Sequence, residues 1–351
     1  MSVPPEGRVS PSRAVNMIQL SKPFLSSKEI TYLMQNNIGN SDQIRMYRLK
    51  KRETFQFLIR LIKILQFPVK VLQNCSYFYQ TFYLFTDDFP KYANLHYEVG
   101  ITALFVSLKM NDFIKKLTLV LQEGNTLRAA HVSAQEFDEQ RRTIIGMEKT
   151  MMECESFDFR NYCIEDLLVK FTKLYKIPEK ESYVCWSVLN DLYLTELPLE
   201  LPAHYNAVIA IRTGLMIFNA VSQTKTNYNI DLHRINMRAE NEGLISGVSL
   251  LLEYYIDNYS TTFLRDALKD VHMVYESKEL VDEILNVKIE FSGKFNSRKG
   301  SEGVVSREDL YFQPRNPDTG KYGCIRFVYN KRRYVEEVKD RTHERNYEQN
   351  E

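Results

Sequence analysis

Turn-forming residues are scarce in this chain, with 13 glycines and 11 prolines in 351 residues. So few breaks exclude a sandwich or barrel of many short strands and favour long helices with short connections. Cysteine is also scarce. Cys75, Cys154, Cys163, Cys185 and Cys324 are an odd number with no CxxC spacing. That excludes a disulfide framework and reads as a reduced, intracellular protein with buried thiols. A charge bias is missing as well. Lys plus Arg is 46 against 45 for Asp plus Glu, a net charge of +1, which speaks against strong binding to nucleic-acid backbone. No run reaches the roughly 18 uncharged apolar residues of a membrane span. The most apolar windows, 55–65 and 244–256, are interrupted by Arg60, Lys63 and Glu253. The polar, Pro-containing start, 1–13, lacks the apolar stretch of a secretory signal.

Catalytic signatures are absent too. There is no GxxxxGK[ST] loop, no GxGxxG turn and no GxSxG elbow. The six histidines are scattered, and none pairs with a second His or Cys at ligand spacing. No catalytic residue, metal or cofactor is therefore expected, and the chain reads as an all-α binding protein rather than an enzyme.

Hydrophobic residues at 44% and charged residues at 26% suit a soluble chain of about two domains. Residues 1–21 read as a flexible arm, with a short helix after Ser26-Ser27. A strong helix is predicted from about Arg48 to Leu65, where Phe55, Leu58, Leu61, Ile62 and Leu65 make one apolar stripe. Phe67-Pro68 ends it, and a second helix runs to about Leu84. The third, about Tyr97 to Met110, is apolar nearly all round and belongs at the centre of a bundle. A shorter helix over about 114–122 and a longer one over about 133–154 complete the group.

The pattern then recurs. A shift of 110 residues places Leu58 on Leu168, Pro68 on Pro178, Cys75 on Cys185, Tyr83 on Tyr193 and Leu84 on Leu194. A second apolar central helix follows over 204–218. This is a duplicated helical unit, assigned as 22–159 (with its N-terminal helix) and 160–259. Residues 260–351 read as a partly irregular extension with short helices near 261–268 and 279–287. A loop is expected over 292–303, a hairpin over 324–335 and a charged tail from Asp340. Cys75, Cys185 and Trp186 read as core residues. The basic run Arg45, Arg48, Lys50, Lys51, Arg52, Arg60, Lys63 and Lys70 faces only Glu53. It reads first as the wet side of the first helix, with a nuclear import signal or an acidic partner as the sharper alternatives.

Two tandem helical bundles, each around a buried third helix, resemble cyclins. Leu65-Gln66-Phe67-Pro68 through Asn74-Cys75-Ser76-Tyr77-Phe78-Tyr79-Gln80-Thr81-Phe82-Tyr83 is similar to the second cyclin-box helix of transcriptional cyclins. Ser107-Leu108-Lys109-Met110-Asn111-Asp112 resembles their Ala-Ala-Lys-x-Glu-Glu segment, and Lys115-Lys116-Leu117 follows at the spacing of cyclins T and K. Within cyclins, Ser21-Lys22-Pro23-Phe24-Leu25-Ser26, Glu153 to Arg160 and Arg332-Arg333-Tyr334-Val335 resemble the cyclin (beta) subunits of fungal CTD kinase I. The resemblance covers about 22–259 and implies two tandem cyclin-box five-helix bundles. It also implies a nuclear regulatory subunit that activates a cyclin-dependent kinase acting on the RNA polymerase II C-terminal repeats, and a small third (gamma) subunit. By the same resemblance Lys109 and Glu148 bind the kinase beside its αC helix, with Asp112, Lys115 and Lys116 nearby. Asn111 departs from the family acid. Leu49-Lys50-Lys51-Arg52-Glu53-Thr54-Phe55 lacks the Met-Arg-Ala-Ile-Leu motif of cell-cycle cyclins, so their substrate-docking patch is not expected. The alternatives are a cyclin for another transcriptional kinase and a DNA-binding general transcription factor of the same fold.

Overall fold

Among the described residues the apolar stripes fold into fourteen α-helices and no strand. The computed structural model describes residues 24–25, 27–86, 88–113, 115–154, 164–222, 228, 230–232, 242–271 and 277–296. The expected arm over 1–21, the hairpin over 324–335 and the charged tail lie outside these. No described helix is long and apolar enough to cross a membrane.

The first group comprises α1 (Ser27–Leu33), a π-helical turn (Met34–Ile38), α2 (Ser41–Ile64), α3 (Lys70–Phe85), α4 (Phe89–Ala93), α5 (His96–Met110), α6 (Leu117–Leu127) and α7 (Ala134–Cys154). Helix α5 is its axle. Val99, Ile101, Ala103, Leu104 and Leu108 are at most 1% exposed, and α2, α3, α6 and α7 pack around them. Each of the four larger side chains contributes about 1.5–3 kcal/mol by leaving water. The second group comprises α8 (Ile164–Leu174), α9 (Glu179–Leu192), α10 (Leu197–Glu200), α11 (Ala203–Ser222), α12 (Glu242–Asn258), α13 (Phe263–Asp270) and α14 (Ser277–Asn296). Helix α11 is the second axle, with Ala207, Ile209, Ala210 and Ile217 fully buried.

The internal repeat reaches the backbone. Gln66 and Lys176, 110 residues apart, both adopt the left-handed conformation, with φ of 56° and 53°. Each closes its helix with the same bond, Phe67 N–H to the Ile62 carbonyl at 3.0 Å and Ile177 N–H to the Thr172 carbonyl at 2.9 Å. Proline follows in both and cannot extend the helix. Cys75 and Cys185 sit in matching places, each Sγ turned to a carbonyl of the local axle, Gly100 at 3.9 Å and Ile211 at 3.6 Å. Burial pushes both thiols well above their ordinary range, so they are inert packing groups.

Several expectations are corrected. Helix α2 begins at Ser41, not near Arg48, because Asn40 and Gln43 form a capping box. Helix α6 starts at Leu117 rather than 114, since Lys116 is extended, and it continues to Leu127 through Gly124, which lies against Phe57. Thr262 caps α13, moving its start to Phe263. Helix α14 runs through Asn296, so the first residues of the expected 292–303 loop are helical. Leu264, Leu268, Leu280, Ile284 and Phe291 pack into the second core, which therefore reaches past residue 259. Trp186 is half-buried: it packs against the edge of the second core and stacks on exposed Tyr183, so it is a core-margin residue rather than a fully buried one.

The basic run is corrected in part. Lys51 is buried, and its Nζ donates to Glu196 Oε1 at 2.6 Å and to Gln80 Oε1 at 3.3 Å. Gln80 Nε2 in turn donates to the Thr195 carbonyl, so this polar cluster joins the two bundles. Burial works against charge on Glu196, but Lys51, its hydrogen bond and Arg48 outweigh it and hold the carboxyl below its usual range. Leu25 N–H to the Leu199 carbonyl at 2.9 Å adds a backbone tie across the same seam.

Candidate functional site

The end of the first axle carries the site. Apolar burial holds α5 in place up to Leu108, and the next residue, Lys109, emerges with its side chain half exposed. The helix stops just beyond. Asp112 adopts φ of 59°, and Phe113 N–H bonds back to the Leu108 carbonyl at 2.9 Å. An Asp tolerates the left-handed region better than most residues, which gives Asp112 a visible structural duty. Its side chain is exposed.

Helix α7 supplies the partner. Ser133 and Glu136 form its capping box, and the hydrogen bonds from Ser133 hold the Glu136 carboxyl below its ordinary range. Ile144, Met147 and Met151 are buried, which turns Glu148 toward the end of α5. Lys109 Nζ donates to Glu148 Oε1 at 2.5 Å. The ammonium also lies 4.3 Å from the Phe105 ring centroid, a cation–π contact one turn back on α5. Glu148 is the more enclosed member, its side chain 16% exposed.

Beside the pair lies an open groove of about 490 Å³, lined by Phe105, Lys109, Lys116, Leu117, Thr118, Arg141, Ile145 and Glu148. Ile145 is 49% exposed on its wall, an apolar surface next to charge. Arg141 is held by Asp138 at 3.0 Å. Of the residues expected here, Lys109, Glu148 and Lys116 come together at the groove. Lys115 and Asp112 are exposed on the connection between α5 and α6 and do not line it. Phe105, Arg141 and Ile145 were not anticipated. Helical spacing could have found them: Phe105 is four residues before Lys109, and Ile145 and Arg141 are three and seven before Glu148.

A charge pair of this kind is poor chemistry for bond making. Neither group abuts a nucleophile, and among the described residues no three metal-ligating side chains converge. It is apt for recognition: a half-exposed ammonium keeps donors free for a carbonyl, and a carboxylate accepts from N–H groups.

No protein-family model matches the chain. Two curated proteins do. The chain is 29% identical over 202 residues to a CTD kinase subunit beta of Schizosaccharomyces pombe, an alignment covering 55% of this chain and 58% of that protein. It is 25% identical over 256 residues to a CTD kinase subunit beta of Saccharomyces cerevisiae, covering 71% and 75%. The alignment thus spans little more than half the length of the fission-yeast relative. Among solved structures, a chain of the yeast RNA Pol II CTD kinase CTDK-1 complex superposes with a TM-score of 0.64 at 20% identity, covering 89% of this chain and 92% of that one. At that identity the likeness concerns the fold, which the two chains share.

Proposed function

We propose that this chain, a relative of the CTD kinase beta subunits with the tandem-bundle cyclin fold, is the regulatory subunit of a kinase acting on the RNA polymerase II C-terminal repeats. It has no catalytic activity of its own and works in the nucleus. The observation that carries the reading is the Lys109–Glu148 pair, presented beside an open, partly apolar groove at the end of the buried axle.

The physics follows from what a free kinase lacks. Its working geometry needs the αC glutamate against the β3 lysine and an ordered activation loop. A subunit that binds the αC-in state more tightly shifts the population toward it. Phe105 and Ile145 provide apolar contact for the kinase helix, and Lys109 and Glu148 fix its register. Once the interface closes, both charges are desolvated. Removing one member then costs about 2–5 kcal/mol, against about 1 kcal/mol or less for an ordinary surface pair. The second bundle, the Ser21–Leu25 lead-in and the C-terminal segment are the candidates for contact with a small third subunit.

The test is co-purification. Lys109→Ala with Glu148→Ala abolishes recovery and activation of a repeat-directed kinase while helicity and melting temperature stay near the parent values. Full binding and activation by that double variant would overturn the proposal.

A further inference from the structure

Helix α2 carries charge that the fold uses only in part, Arg48 lending its field to Glu196. Arg45, Arg48, Arg52 and Arg60 are exposed, and none forms an ion pair with a carboxylate among the described residues. Lys63 is held by Asp266 at 3.4 Å, with both side chains more than half exposed, and its ammonium lies 5.7 Å from the Phe263 ring centroid. At 3.6 residues per turn these five cations occupy roughly one third of the helix circumference. Leu49, 45% exposed, sits among them. The opposing charge is slight. Exposed Asp42 lies at one edge of the face, one turn before Arg45, and Glu53 lies at the margin, turned to His96 at 3.9 Å, while Lys51 has been drawn into the seam.

The cations form two groups, Arg45, Arg48 and Arg52, then Arg60 and Lys63. A rise of 1.5 Å per residue sets their centres about 20 Å apart. An extended peptide covers that distance in about six residues.

We infer that this ridge docks a phosphorylated peptide, namely polymerase repeats that the kinase has already modified; this rests on the function proposed above. A guanidinium fork matches phosphate oxygens two at a time and carries its charge at every physiological pH. A phosphate dianion displaces exposed Asp266 from Lys63, and Leu49 offers apolar contact between phosphates. A nucleic-acid duplex fits less well. It presents two rows of phosphate to what is one convex row of cations, on a chain with a net charge of only +1. Docking a finished repeat tethers the unmodified ones, raising their concentration near the kinase without any new contact at the catalytic centre.

The test uses the full chain co-expressed with its kinase, and synthetic polymerase-repeat peptides with no phosphoserine, one, or two set six residues apart. Fluorescence anisotropy is read at low and high salt. The doubly phosphorylated peptide binds about tenfold or more tighter than the single one, and raising salt weakens both. Arg45→Gln with Arg48→Gln and Arg52→Gln removes that gain, and the matching Lys triple retains part of it. Helicity by circular dichroism is unchanged in both variants, since all three side chains are exposed. Equal phosphopeptide binding by parent and Gln variant overturns the inference. So does tighter binding of duplex DNA of equal charge, or a variant whose one defect is the loss of another subunit. Kinase recovery is scored on the same preparations. Kinase retained without phosphopeptide binding sinks the ridge alone, and phosphopeptide binding without any kinase sinks the regulatory reading alone.

Discussion

The two bundles are built alike and spend their charge differently. Both have an apolar axle, a cysteine against it and the same left-handed helix stop. In the first, the axle ends in Lys109, which meets Glu148 in the open. A shift of 110 residues puts uncharged Asn219 in that place in the second. The second bundle keeps its key carboxylate inside. Asp191, fully buried on α9, accepts from Phe263 N–H at 2.8 Å, Leu264 N–H at 2.9 Å and the Tyr255 hydroxyl at 3.0 Å. It thereby satisfies free amides at the start of α13 and clamps that helix to the core. The scaffold is repeated, and the first copy leaves its charge pair in the open while the second uses its carboxylate to anchor its own C-terminal helix α13.

The sharpest way to break this contrast is at Asp191. Asp191→Ala leaves three buried donors without an acceptor, at about 1–3 kcal/mol each, so a loss of about 3 kcal/mol or more is expected in urea denaturation. Its pH behaviour is distinctive. Burial raises the Asp191 carboxyl to about 7, the three hydrogen bonds opposing only in part. A raised carboxyl stabilises the fold fully below its unfolded value, and that contribution fades as pH climbs toward about 7. Glu196 works in the opposite direction. Burial raises it, the Lys51 charge more than compensates, and its net lowering gives stability that is present at neutral pH and fades in acid. Asp191→Asn should flatten the neutral-side decline and leave the acid limb intact; a curve unchanged on both limbs would refute this assignment.

The next largest effect lies at the seam. Lys51→Met strands Glu196 without its counter-charge and costs about 3 kcal/mol. Adding Glu196→Leu recovers most of that loss, so the two substitutions are far from additive in a double-mutant cycle. Additive losses would mean that the cluster does not act as a unit.

A smaller effect separates the axles. A Cβ on Gly214 would lie 2.9 Å from Cys185 Sγ and 3.0 Å from its Cα, whereas on Gly100 it would meet the Thr54 methyl at 2.5 Å. The first obstacle includes backbone and the second is a side chain that can be shaved. Gly214→Ala therefore costs about 1–3 kcal/mol, and Thr54→Ser rescues Gly100→Ala but not Gly214→Ala in thermal melts. The smallest effect is at Lys63→Ala, which removes an exposed pair and should change stability by less than about 0.5 kcal/mol.

Much of the scaffold was legible in sequence because its signals are local. An axle apolar on every side, a proline after each first helix and a fixed 110-residue offset need no tertiary knowledge. The last two helices were harder to read. Leu280, Ile284 and Phe291 face the core, but Leu285 and Ile289 face out, 42% and 62% exposed, and blur the 3.6-residue period. Lys51 was read as wet because its neighbours are. Its partner Glu196 lies 145 residues away, and no local pattern reports such a pairing. Lys109 and Glu148 were recognised by resemblance rather than spacing, which is why the groove walls around them went unnoticed.

The left-handed stop at Asp112 works as a ruler. It sets the number of residues between the last axle turn and the connection that carries Lys116 over the groove. One extra residue before it would rotate everything downstream by about 100° relative to Lys109. A change of length is thus expected to be least tolerable between Lys109 and Leu117, where seven intervening residues keep α5 and α6 in phase.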